Sequence, residues 1–171
     1  MLADGRPLEA ERRLEAIVQA TPNDVRARLD LGLSREMQDD AAGAEEAYRG
    51  AIEVDATFAE AWNNLGVLLL REGDARGAER AYLTALRLKK DHAATLSNLV
   101  TLYRRNGDEA MQRRYEWRLD RVQRTDPFHQ FMLALECENS GDYDCAIARY
   151  RRAIALQGEE HQFHFGLARA Y

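Results

Sequence analysis

Apolar and small residues recur along this chain at helical spacing, in two stripes separated by a short polar break. Trp62, Leu65, Gly66 and Leu69 make one stripe, Ala78, Tyr82, Ala85 and Leu88 the next, and Glu72-Gly73-Asp74 lies between them. Glycine accepts the left-handed conformation that ends a helix, and the aspartate after it caps the helix that follows. The pattern predicts an antiparallel pair of helices, A and B. It then repeats: Leu31, Leu65, Leu99, Leu133 and Leu167 stand 34 residues apart, and the residues 26 before each are Gly5, Asp39, Gly73, Gly107 and Gly141. A fixed period of this length means one supersecondary unit copied in series, each copy burying its apolar face against its neighbours.

Counting residue 59 as the first position of a unit divides the chain into a partial repeat at 1–24 that is mainly helix B, repeats at 25–58, 59–92, 93–126 and 127–160, and a last A helix at 161–171. Small residues sit where two helices should press together, at position 8 (Gly32, Gly66, Ala134) and position 20 (Ala44, Ala78, Ala146). The large partners are Tyr48, Tyr82 and Tyr150 at position 24, and close packing requires such alternation of large and small. Pro7 and Pro127 fall in a first helical turn and Pro22 falls just past a helix end, where a missing N–H is harmless. The repeat at 93–126 is degenerate. Val100, Gln112, Glu116 and Leu119 occupy the places of small or aromatic residues, while Met111, Tyr115, Leu119 and Val122 make their own stripe. Helix B is expected there to be rotated by about one residue, with Arg113, Trp117, Arg121 and Arg124 facing outward. That face is either a partner patch or a solvated surface with Trp117 packed under arginine stems. The pattern is cut at both ends, and Phe163, Phe165, Leu167 and Tyr171 make the last helix apolar. The expectation is a segment of a longer array, or a last helix that packs on a partner, including self-association through the exposed terminal helices.

Composition narrows the picture further. The chain has 171 residues, 46% hydrophobic and 31% charged, with only three prolines, which fits an all-α protein. No apolar run reaches the roughly 18 residues of a membrane span. The net charge of −5 argues against nucleic acid as a partner. The charge is uneven, since residues 1–85 carry 10 Arg against 17 acids and the remainder carries 14 Arg and Lys against 12 acids. Cys137 and Cys145 make neither a disulfide framework nor a zinc pattern and are expected to be ordinary packed thiols. His161 and His164 have helical i, i+3 spacing but no neighbouring cysteine or ordered acidic ligand. No Ser-His-Asp set, phosphate loop or paired-carboxylate pocket is present, so no enzyme, cofactor or metal is expected.

Ala61-Trp62-Asn63-Asn64-Leu65-Gly66, Gly73-Asp74, Ala78, Tyr82 and Ala85, with a second strong copy in Gly141-Asp142-Tyr143, Ala146, Tyr150 and Ala153, resemble the tetratricopeptide repeat. Arg28 and Leu96 depart from it at position 4, Leu69 at position 11, and Ala56, Lys90, Arg124 and Gly158 at the proline of position 32. The resemblance implies a right-handed α-solenoid whose A helices line a concave groove that takes a protein or an extended peptide segment. It also implies which residues face that groove: Asn63, Asn64, Arg71, Asn98, Thr101 and Arg105 in the middle, and Phe128, Phe131, Met132 and Leu135 towards the C-terminal end. Asn64 and Asn98 stand one repeat apart, as in a ladder that pairs with a peptide backbone; a merely water-facing role fits them equally. The phenylalanine patch either binds a ligand or packs under the unfinished last unit. The family's lysine-based clamp for chaperone tails does not fit, because Lys89 and Lys90 are the only lysines and lie in a turn. The favoured expectation is a non-catalytic binding scaffold in the cytoplasm. Its rivals are the substrate-recognition arm of a larger enzyme and a polyanion binder using Arg104, Arg105, Arg113, Arg114 and Arg121.

Overall fold

The computed structural model describes residues 5–171, so the first four residues of the opening partial repeat lie outside the described chain. Ten α-helices follow one another: α1 (Gly5–Ala20), α2 (Val25–Met37), α3 (Ala41–Val54), α4 (Ala59–Arg71), α5 (Ala75–Leu88), α6 (Ala93–Arg105), α7 (Glu109–Thr125), α8 (Pro127–Asn139), α9 (Tyr143–Leu156) and α10 (His161–Ala170). The described chain is all-α, a solenoid of antiparallel helix pairs. The A helices α2, α4, α6 and α8 have 13 residues each, and the B helices α3, α5 and α9 have 14. Pro127 opens α8, and Pro22 follows the end of α1.

The turn within each pair is built as its sequence predicts. Gly73, Gly107 and Gly141 have φ of +89°, +71° and +78°. Asp39, the one exception to glycine, takes the same left-handed conformation at φ 64°. The next residue, Asp40, Asp74, Asp108 or Asp142, accepts a hydrogen bond from the backbone N–H three residues on, at 2.8–3.0 Å. These carboxylates satisfy donors that the first helical turn otherwise leaves open.

The chain forms two compact units, one ending at Tyr115 and the other spanning Glu116–Tyr171. In the first, α3 lies between α2 and α4, and Leu29, Ala44, Tyr48, Ala51, Ala61, Leu65 and Leu68 form one core cluster. Tyr48 closes over Gly32 and Tyr82 over Gly66 so tightly that a Cβ on either glycine would meet the ring at 2.4 and 2.6 Å. In the second unit Ala134, Ala146, Tyr150 and Ala170 are buried together, and Tyr150 closes over Gly166 of α10 in the same way.

Helix α7 departs from the other B helices. It runs to 17 residues, and Tyr115 is its one fully buried side chain among those described. Tyr115 stands one residue before the regular aromatic position and stacks on Tyr103 of α6 with ring centroids 5.5 Å apart.

The cysteines require a correction. Cys137 and Cys145 are joined in a disulfide across the α8–α9 turn, with Cα atoms 5.8 Å apart, and are not free thiols. The hairpin itself accounts for their meeting, because positions 11 and 19 of a unit face each other. In the repeat at 25–58 the same two positions bring Arg35 Nη1 to within 3.2 Å of the Gly43 carbonyl. Among the described residues no helix is long and apolar enough to cross a membrane.

Candidate groove residues in the two units

In the first unit the candidate residues converge on Asn63. Its side chain is buried, and its Oδ1 accepts from Thr95 Oγ1 at 2.8 Å and from Asn98 Nδ2 at 3.0 Å. Its Nδ2 donates to Asn64 Oδ1 at 3.1 Å. Asn63 is thus a bridge between α4 and α6 and presents little to solvent. Asn64 and Asn98 are half-buried one repeat apart, each held by one end of its carboxamide. The remaining ends are the Nδ2 donors of Asn64 and the Oδ1 acceptor of Asn98. Thr101 is half-buried and donates to the Ser97 carbonyl of its own helix at 3.1 Å.

Thr95 and His92 complete this network and were not expected from the sequence. Thr95 Oγ1 lies 2.6 Å from His92 Nδ1, and burial, with Lys89 nearby, holds the His92 pKa below its ordinary value. The available signal was local: Thr95 stands where Ala27 and Ala61 stand in the two preceding repeats.

Arg71 and Arg105 are exposed near the C-terminal ends of α4 and α6. Arg71 Nη1 reaches Glu36 Oε1 at 3.5 Å, and Glu36 also accepts from the Tyr48 hydroxyl at 2.8 Å. Burial first, then this carboxylate, raises the Tyr48 pKa well above that of a free phenol. Burial pushes Tyr82 up to about 12, against the opposing charge of Arg105.

The second unit holds the apolar residues. Phe131 is half-buried, with ring centroids 5.3 Å from Phe163 and 5.7 Å from Tyr150. Phe128 meets Phe163 edge-on at 5.4 Å yet stays 49% exposed, and Met132 is 54% exposed. Beside them Phe131 and Leu135 line a cleft of about 310 Å3 with Tyr150, His161, Phe165 and Arg169. The patch therefore packs in part on α10 and in part borders open space. Phe165, at 69% exposure, and His161 are cleft residues that were not singled out for this role.

The rim of that cleft is polar and tied down. Arg169 of α10 holds Glu138 of α8 through two hydrogen bonds, Nε to Oε1 at 2.7 Å and Nη2 to Oε2, and Tyr150 donates its hydroxyl to Glu138 at 2.6 Å. Arg169 chiefly, and then Tyr150, holds the Glu138 carboxyl below the usual carboxylate range. Burial and the same bond push Tyr150 up to about 12. Elsewhere in this unit Trp117 is 63% exposed, with the Arg121 guanidinium 5.9 Å from its ring centroid. Among the described residues no group of histidine, cysteine and acidic side chains is placed to hold a metal.

Helix pairs with a small residue facing a tyrosine, a left-handed turn and an aspartate cap, copied at one fixed interval, define an α-helical repeat solenoid. A family model described as tetratricopeptide repeat matches residues 2–59 and 131–171, and a second of the same description matches 59–92. The chain belongs to the tetratricopeptide-repeat family, and its architecture is that of a protein-interaction scaffold. No curated protein matches it. Solved structures show the same fold at low identity. A crystal structure of MamA has a TM-score of 0.61 at 21% identity, covering 87% of this chain and 87% of that one. A repeat protein from Parabacteroides merdae has a TM-score of 0.64 at 19% identity, over 98% and 66% of the two chains. YrrB, described as having an unusual peptide-binding site, has a TM-score of 0.60 at 15% identity, over 92% and 81%.

Proposed function

We propose that this chain is a non-catalytic module that captures a protein segment on the faces of its A helices. The observation that carries this is the apolar cleft of about 310 Å3 in the second unit, open beside Phe131, Leu135 and Phe165. Exposed apolar surface with a polar rim is characteristic of binding sites. A space of that size suits one large aliphatic or aromatic side chain of a partner. In the first unit the remaining Nδ2 donors of Asn64 and the Oδ1 acceptor of Asn98 match the C=O and N–H of an extended backbone. Such contacts are blind to the partner's side chains.

Selection of a random peptide library on the chain is expected to enrich sequences with a recurrent large apolar residue. Phe165→Ser, at an exposed position, is expected to lose those peptides, and Asn64→Ala with Asn98→Ala is expected to weaken backbone-mediated capture, all with unchanged helical content. Peptides that bind the folded Phe165→Ser variant as tightly as the parent would remove the cleft from the site.

A further inference from the structure

A second cleft, of about 500 Å3, lies wholly within the second unit, lined by α7, α8 and α9. It is unrelated to the apolar one. On α8 a step of about 100° per residue sets Phe128, Phe131, Met132 and Leu135 on one face and His129, Gln130 and Leu133 on the roughly opposite face. The second set faces this cleft.

Its lining is strongly basic. Arg124, Arg149 and Arg152 stand against one acid, Asp120, an excess of two positive charges before His129 is counted. Asp120 is already engaged with Arg124, Nε to Oδ1 at 2.9 Å. Arg149 has a neutral partner: its Nη1 donates to Gln130 Oε1 at 3.0 Å. Gln130 is itself 2% exposed and anchored through Nε2 to the Gln123 carbonyl at 3.1 Å. A buried carboxamide thus holds one guanidinium at the mouth of a cavity while leaving its charge uncompensated. Prior fixing of this kind lowers the ordering cost of binding. The guanidinium fork matches two oxygens of one anion.

From the excess of two charges, the anchored Arg149 and the size of the cleft, we infer that this is a binding site for a phosphoryl dianion. A phosphorylated side chain of a partner and a small phosphate ester present the same group and differ only in what carries it.

The test is a titration of the isotope-labelled full chain with inorganic phosphate, followed by amide NMR shifts at constant ionic strength. Saturable shifts are expected in the C-terminal part of α7, the first turns of α8 and the middle of α9. Arg149→Gln with Arg152→Gln is expected to weaken the site by about a hundredfold, on the order of tenfold for each charge-assisted interaction lost. Arg152→Gln alone, at an exposed position, is expected to weaken it in the same direction. Arg49→Gln, in the other unit, serves as a control expected to leave it unchanged. Shifts that grow linearly without saturation, equal binding by the double variant, or acetate saturating the site as readily as phosphate would each overturn the assignment. A phosphoserine peptide compared with glycerol phosphate then identifies the carrier: tighter binding of the peptide assigns a partner side chain, and equal binding a free ester.

Discussion

Tyr82 lies over Gly66 so closely that a methyl group on residue 66 would come within 2.6 Å of the tyrosine Cε1. The two residues close the joint between α4 and α5, and Tyr82 is buried. Gly66→Ala must therefore push a packed aromatic ring aside. Overpacking of this kind costs about 1–3 kcal/mol. Chemical denaturation is expected to show that loss, and the same substitution is expected to cost less in a Tyr82→Ala background.

The left-handed turn makes an opposite pair of predictions. Asp39 holds a φ of 64° that glycine adopts freely, whereas Gly73 at φ +89° has nothing near its Cα that a methyl group would strike. Asp39→Gly is expected to stabilise the chain by up to about 1 kcal/mol, and Gly73→Ala to destabilise it by about 1 kcal/mol. Thermal unfolding of the two variants distinguishes this from a packing effect, which would not change sign.

Asn63 is predicted to matter for folding, and Asn64 and Asn98 for binding. Asn63→Ala removes the acceptor shared by Thr95 and Asn98 and is expected to cost about 1–3 kcal/mol. Asn64→Ala with Asn98→Ala is expected to change stability far less while reducing peptide capture. Equal destabilisation by both sets would assign all three asparagines to the scaffold.

Alkaline pH tests the tyrosines. The ordinary phenol value is 10.0, and Tyr82 and Tyr150 are held up to about 12, both chiefly by burial. Because their folded pKa values are raised, their contribution to stability is complete below pH 10 and is lost as pH rises towards 12. Phenolate absorbance should show groups that ionise only as the helical signal collapses, and Tyr82→Phe should remove one of them.

Most of the fold was legible because a period of 34 is repeated at enough positions to locate each helix, and small-against-large pairs mark the joints. Asp39 illustrates this, since its register alone placed a non-glycine in the turn. What escaped involved contacts between positions. Cys137 and Cys145 face each other because positions 11 and 19 oppose across the hairpin, a relation visible in Arg35 and Gly43 only once the hairpin is folded. The inward turn of Asn63 likewise depends on Thr95, a neighbour 32 residues away. Phe165 escaped because its exposure depends on how α10 packs against α8 and α9.

The disulfide adds a further expectation. It joins cysteines eight positions apart, and constraint of the unfolded chain over so short a loop is worth about 2.5 kcal/mol. A reducing agent is expected to lower the melting temperature, and Cys137→Ser with Cys145→Ser is expected to melt at the reduced value and ignore the reagent.

The same bond spans Gly141 and Asp142, exposed residues at the tip of the turn between α8 and α9. A protease that nicks the backbone there severs the polypeptide without parting its halves. The cleaved protein would migrate as one species on a non-reducing gel and as two fragments once the sulfurs are reduced.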